Sequence, residues 1–141
     1  MLILEADDLE TRAAVARHVE GPEFEVIAVP PGGPRTKPKA LTYALSFVRA
    51  DYVVVFDAED RPEPDQLRKA AAAFRARPRL GCVQARLAPD NRDSWLARMF
   101  TVEYAANFEV HLPALAEWRV PLPLGGTSNH FPGIMQETHL R

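Results

Sequence analysis

Disulfide bonding within the chain is excluded at once, because Cys82 is the only cysteine among 141 residues. In the apolar context "LGCVQ" it reads as a buried structural thiol, and a lone thiol points to a reducing compartment, so a cytoplasmic location is expected. Charge of one sign is also scarce: 17 basic against 19 acidic residues leave a formal charge of -2. There is accordingly no basic face for nucleic acid. No apolar run approaches the ~20 residues that would cross a bilayer. The chain shows no internal repeat, no low-complexity segment and no signal peptide; Met1 leads directly into the apolar "LIL". What is present, 47% hydrophobic and 26% charged residues, fits one globular domain with a real core.

Along the chain, short β-branched apolar runs alternate with helical periodicity. "LILEA", "FEVIAV", "YVVVFD" and "GCVQARL" read as strands, and "LETRAAVARHVE", "KALTYALSFVRA" and "DQLRKAAAAFRAR" as helices. Strands apolar on both faces, each followed by a helix, predict an α/β fold: a three-layer α/β/α sandwich around a mainly parallel sheet. Asp7 and Glu10 are placed to form a capping box on the first helix, and Pro62 and Pro64 set the turn before the third. "VPPGGPRTKPKA" is a rigid surface loop carrying Arg35, Lys37 and Lys39. Beyond residue 90 the texture changes. In "DSWLARMFTVEYAANFEVHL", Trp95, Met99, Val102 and Ala106 fall at helical spacing and are expected to be core. Residues 1–90 thus form one half of the domain and 91–141 the start of another, with Gly125, Gly126, Thr127, Ser128, Asn129 and His130 clustered at a flexible turn.

The chemistry is expected at the carboxyl ends of the strands, where loops and helix N-termini converge. Asp7 and Asp8 follow the first strand; Asp57, Glu59 and Asp60 follow "YVVVF". Like charges gathered at one rim destabilise each other unless a cation or a set of donors compensates them. Oxygen ligands without a Cys or His pair select a hard metal, Mg²⁺ or Mn²⁺, which completes its shell with substrate phosphates. The basic loop is available to meet such phosphates. The plainer alternative is that each acid group merely caps a helix or solvates a turn. A phospho-receiver domain also places acids after two strands, but it needs Ser or Thr after its fourth strand and Lys after its fifth. Here "GCVQARL" is followed by Ala88 and Pro89, and no lysine occurs after Lys69.

Taken in order, "EADDLET", "PRTKPKALTYAL", "VVVFDAEDRPEPDQL", "CVQARL" and "PLGGTSNHF" resemble the family-2 glycosyltransferases, inverting enzymes of GT-A fold, over residues 2–131. The cellulose-synthase-like bacterial members are the most similar. The resemblance implies that Asp7 and Asp8 hold the base of a nucleotide-sugar, that Lys37 lies near its phosphates, and that Asp57 meets ribose and metal. It implies that Glu59 binds Mn²⁺ or Mg²⁺ bridging the diphosphate, with Asp60 as an additional ligand. Gly125, Gly126 and Thr127 match the segment lining the sugar and acceptor side, and His130 either approaches the acceptor or is a structural histidine.

The implied reaction is transfer of a sugar, UDP-linked, from a nucleotide-sugar donor to a glycan acceptor, in a longer parent that is inner-membrane-associated and engaged in polysaccharide biosynthesis. Departures are specific. Glu59 replaces the usual second Asp of the DxD pattern, and Thr42 stands where the lysine-loop pattern has Asn. The chain begins at what resembles the family's second strand and reaches neither the "TED" motif, whose Asp is the general base, nor "QxxRW"; Glu137 in "PGIMQETHLR" stands in the wrong order to replace it. A domain truncated at both ends, without its own catalytic base, is the expectation. So is association into homo-oligomers through exposed sheet edges. A non-catalytic nucleotide-binding or assembly module is the alternative from a different functional class.

Overall fold

The structure is a computed structural model and describes residues 1–133. Glu137 and the rest of the final segment lie outside the described residues. The chain divides into two compact units, Met1–Arg49 and Ala50–Arg141.

The first unit is a βαβ unit followed by a helix. Strand β1 (Leu2–Glu5) leads into α1 (Leu9–His18), then β2 (Val26–Val29) and α2 (Lys37–Leu45). β1 and β2 pair in parallel, Leu2 opposite Val26 and Glu5 opposite Val29. Alternation along β2 buries Ile27 and Val29 and exposes Val26. With Ala44 of α2 these side chains are the unit's buried apolar residues. α1 is capped by Asp8, whose carboxylate accepts from the Thr11 backbone N–H at 3.0 Å. The capping box expected from Asp7 and Glu10 does not form: Asp8 alone is the N-cap, its own N–H donates to Glu5 O, and Asp7 points to Arg35.

The second unit runs β3 (Tyr52–Val55), α3 (Gln66–Ala76), β4 (Val83–Gln84), α4 (Trp95–Ala106), a π-helical turn (Asn107–His111), α5 (Leu112–Glu117) and β5 (Asn129–Pro132). Its sheet has the order β3-β5-β4. β5 was not foreseen as a strand, since its polar residues carry no strand pattern. It is antiparallel to both neighbours, so both pairings of this sheet are antiparallel while β1 and β2 pair in parallel. The insertion supplies backbone partners to β3 and β4 at once. Ser128 donates its N–H to Val55 O at 2.7 Å, and Ala85 donates to Ser128 O at 3.0 Å. α3 covers one side through Ala70 and Phe74, one helical turn apart and both buried, with Phe74 stacked on Tyr52 at 5.2 Å between ring centres.

Helix α4 departs from its expected role. Trp95, Met99 and Val102 are 69%, 47% and 63% exposed, so the stripe expected to be core is not buried within the described residues. The reason is compositional: Leu96 and Phe100 make α4 apolar nearly all round, and one neighbouring surface cannot cover every face. No described helix is long and apolar enough to cross a membrane.

Candidate functional site

In the first unit the acids stand where the sequence put them, at the carboxyl end of β1, but they already have work. Asp8 is the cap of α1. Thr11, first through its backbone N–H and then through its hydroxyl, holds the Asp8 carboxyl below the usual carboxylate range. Asp7, exposed, is ion-paired with Arg35. Lys39 Nζ donates to Pro30 O at 3.1 Å and lies 3.6 Å from Glu5. Arg35 and Lys39 are thus engaged inside their own unit, fixing the 30–36 segment. Lys37 opens α2 behind the N-cap Thr36, half-buried.

In the second unit the turn after β3 is closed by Asp60 N–H donating to Asp57 O at 3.1 Å. Asp60 Oδ2 then accepts from the Asp57 backbone N–H at 2.8 Å and from the Thr127 hydroxyl. Asp60 therefore ties the β3 turn to the segment entering β5. Both of these bonds are made by Oδ2, the carboxylate oxygen that faces the turn. Thr127, Ser128, Asn129 and His130 are all buried. Ser128 adopts φ 56, a left-handed conformation costing about 1 kcal/mol or more in a non-glycine residue, and held here by backbone bonds on both sides.

Two cavities open on this unit. One, of about 760 Å³, brings Asp57 together with Gly125, Gly126 and Thr127, and adds Gln84, Glu103, Tyr104 and His111. The other, of about 680 Å³, is lined by Glu59, Asp60 and His130 together with residues of α3 and of the β4 exit. Strand β4 explains the division: Gln84 lines the first cavity while Val83 and Ala85 line the second, as alternate residues of a strand must. The structure thus gathers Asp57 with the glycine turn in one cavity and puts Glu59 and His130 on the other. Gln84 and the polar residues of α4 and the π-turn were missed. Only the alternation around Cys82 could have singled out Gln84, and the α4 residues carry no motif.

His130 is a structural histidine on one side of its ring: Nδ1 lies 3.0 Å from Val83 O, and Phe56 stands edge-on at 6.4 Å. Since a carbonyl only accepts, Nδ1 carries the proton. Burial pushes the Cys82 thiol above its ordinary range, consistent with a structural thiol. Among the described residues no three His, Cys, Asp or Glu side chains converge to cage a metal. Asp57 and the exposed Glu59, each on its own cavity, offer a hard cation one carboxylate apiece, so a cation there would need further oxygen ligands from elsewhere.

The chain is of the α/β class, with acids at two strand ends and a glycine turn facing one of them. The family model described as "Glycosyltransferase like family 2" matches residues 1–128. The chain belongs to glycosyltransferase family 2 and has its GT-A fold, and the phospho-receiver alternative falls with that match. No solved structure matches the chain.

Proposed function

We propose that this chain is the donor-binding part of an inverting glycosyltransferase, holding the diphosphate and sugar of a UDP-linked donor in the cavity between Asp57 and the Gly125–Thr127 turn. The observation that carries this reading is the convergence in one cavity of a carboxylate at the end of β3 with a glycine-containing segment almost 70 residues on. Small residues permit close backbone approach of a ligand. Asp57 would hold Mg²⁺ or Mn²⁺ at this cavity, which would supply neutralisation of charge on the departing diphosphate; Glu59 lines the other cavity and would join that cation only by swinging round the turn after β3. Within the first unit, Asp7, Asp8 and Lys37 are the proposed contacts to a nucleotide's base and phosphates; for Asp7 this requires exchange of the Arg35 ion pair for ligand.

In the reaction an acceptor hydroxyl oxygen bonds to the anomeric carbon as the carbon–oxygen bond to the diphosphate breaks, and the hydroxyl proton passes to a base. We assign that base to none of the described residues. Turnover by this chain alone is therefore not expected, and the second reading, a nucleotide-binding or assembly module, shares every binding residue. A cytoplasmic site and self-association remain part of the proposal; the exposed apolar residues of α4 support the latter.

Calorimetric titration with UDP, with and without Mn²⁺, tests the donor site. Metal-dependent binding that disappears in Asp57→Ala supports it; no binding by the unaltered chain under either condition rejects it. Sugar release from a UDP-sugar to an added glycan then separates the enzyme from the binding module.

A further inference from the structure

The cavity that holds Asp57 and the Gly125–Thr127 turn is short of positive charge. Its lining brings two carboxylates, Asp57 and Glu103, and among the described residues that line it there is no lysine or arginine. A diphosphate carries more negative charge into that setting, and like charges repel unless cations offset them. One side chain of the lining can itself become a cation. It is His111, and an imidazole ordinarily titrates at about pH 6.5.

The π-helical turn sets up that ring. Over Asn107–His111 the helix widens, and the Leu112 N–H reaches back five residues to Asn107 O, a local feature often found at functional sites. His111 Nδ1 lies 3.1 Å from Oδ1 of the half-buried Asn107. An amide oxygen only accepts, so Nδ1 carries a proton, and Nε2 is the nitrogen that gains or loses one. The ring is exposed, so a ligand in the cavity can reach it. Neutral, it presents a lone pair at Nε2, which repels a phosphate oxygen. Protonated, it presents an N–H and a positive charge, and a charge-assisted hydrogen bond to phosphate follows.

The charged and titratable groups around His111 favour that second state once a diphosphate enters. Asp57 comes from the turn after β3, and Glu103 and Tyr104 come from α4. The glycine turn brings no ionisable side chain, and the only charged residue of α5 is Glu117, outside the lining. Glu109, on the ring's own turn, is ion-paired at 2.5 Å with Arg86 at the exit of β4, so these two charges largely cancel. Every unpaired charge in the lining is therefore negative, and so is the ligand.

We propose that His111 makes donor binding proton-dependent: the protonated ring donates from Nε2 to the diphosphate, while Asn107 positions the ring by accepting from Nδ1. This inference rests on the donor reading of the cavity. It adds a side chain that belongs to none of the motifs carrying the family resemblance. Binding strengthens as pH falls through the imidazole range and, by reciprocity, bound diphosphate keeps the proton on the ring.

The test titrates the full chain with UDP by calorimetry, at fixed Mn²⁺, at about pH 5.5 and about pH 8, on either side of the ordinary imidazole value. The terminal phosphate of UDP titrates in the same range, so His111→Gln, which cannot take up the proton, measures that share alone. At the lower pH the unaltered chain should bind UDP about tenfold more tightly than His111→Gln, and at the higher pH within about twofold of it. His111→Lys keeps its charge at both pH values and should exceed His111→Gln at both. In ¹⁵N-labelled chain followed by NMR, the His111 ring should hold its proton to higher pH with UDP bound than without. The same pH dependence in the unaltered chain and in His111→Gln overturns the proposal and leaves the Asp57 donor site standing. A ring titration that UDP does not move, or a His111→Lys affinity no better than that of His111→Gln at the higher pH, overturns it too. Absence of UDP binding by the unaltered chain at both pH values rejects the donor reading and this inference with it.

Discussion

Asp60 and Thr127, 67 residues apart, share a hydrogen bond that joins the turn after β3 to the segment entering β5. The same Thr127 hydroxyl lies 3.2 Å from the Asp57 backbone N–H, so one buried side chain fixes both acids that bracket the turn. The position of Asp57 in the donor cavity rests on this anchor. Two cavities meet along it, one on each side of the sheet.

Removing the hydroxyl tests the anchor. Thr127→Val keeps the volume but leaves Asp60 short of a donor in a half-buried turn, and should cost about 1–3 kcal/mol in denaturant unfolding. Asp60→Asn retains an accepting oxygen and should cost less. It should also keep the Mn²⁺-dependent UDP binding that Asp57→Ala loses. If Asp60→Asn abolishes metal dependence as completely as Asp57→Ala does, Asp60 is a ligand after all.

Two glycines in the second unit should respond in opposite ways to alanine. A methyl at Gly133 would stand 2.1 Å from the Ala50 carbonyl oxygen, a backbone atom that cannot move without disturbing the end of the β3–β5 pairing. Gly133→Ala should therefore destabilise by at least about 1–3 kcal/mol. At Gly125 the nearest atom is the far end of the Gln84 side chain, at 2.7 Å, which can rotate away. Gly125→Ala should change stability by under about 1 kcal/mol yet alter UDP affinity, because Gln84 lines the donor cavity. Comparable melting temperatures for the two variants would refute this contrast.

The pH dependence at α1 follows from Asp8. Its folded carboxyl titrates below the unfolded value of about 3.9, so its contribution is present above that value and is lost as pH falls through the folded one. Asn caps a helix as well as Asp but does not titrate there. Between about pH 6 and pH 2 the unaltered chain should lose more stability than Asp8→Asn. Parallel curves for the two would show that the cap carries no pH dependence.

Cys82 should alkylate slowly. Burial holds its thiol above the ordinary range, opposed only in part by the His130 backbone hydrogen bond, so the reactive thiolate is scarce near neutrality. Iodoacetamide should modify the native chain at least about tenfold more slowly than the denatured one. Equal rates would mean that β4 opens freely.

What the residues determined locally can be read without a structure. Apolar β-branched runs give β1, β2 and β3; alanine-rich periodicity gives α3; and the acids fall at strand ends because the motifs that carry them begin where those runs stop. β5 was illegible because "NHFP" gains its strand identity from the two open ladders it fills and has no apolar alternation of its own. The apolar positions of α4 gave its helical spacing correctly but not its burial, which depends on what lies against it. Within "DAED" three carboxylates look equivalent in sequence, and only the fold separates them: Asp57 to one cavity, Glu59 to the other, and Asp60 to a hydrogen bond. Spacing along the chain determines which residues are neighbours within an element. Which oxygen is spent on structure and which is left for a ligand depends on partners almost 70 residues away, and only tertiary packing decides that.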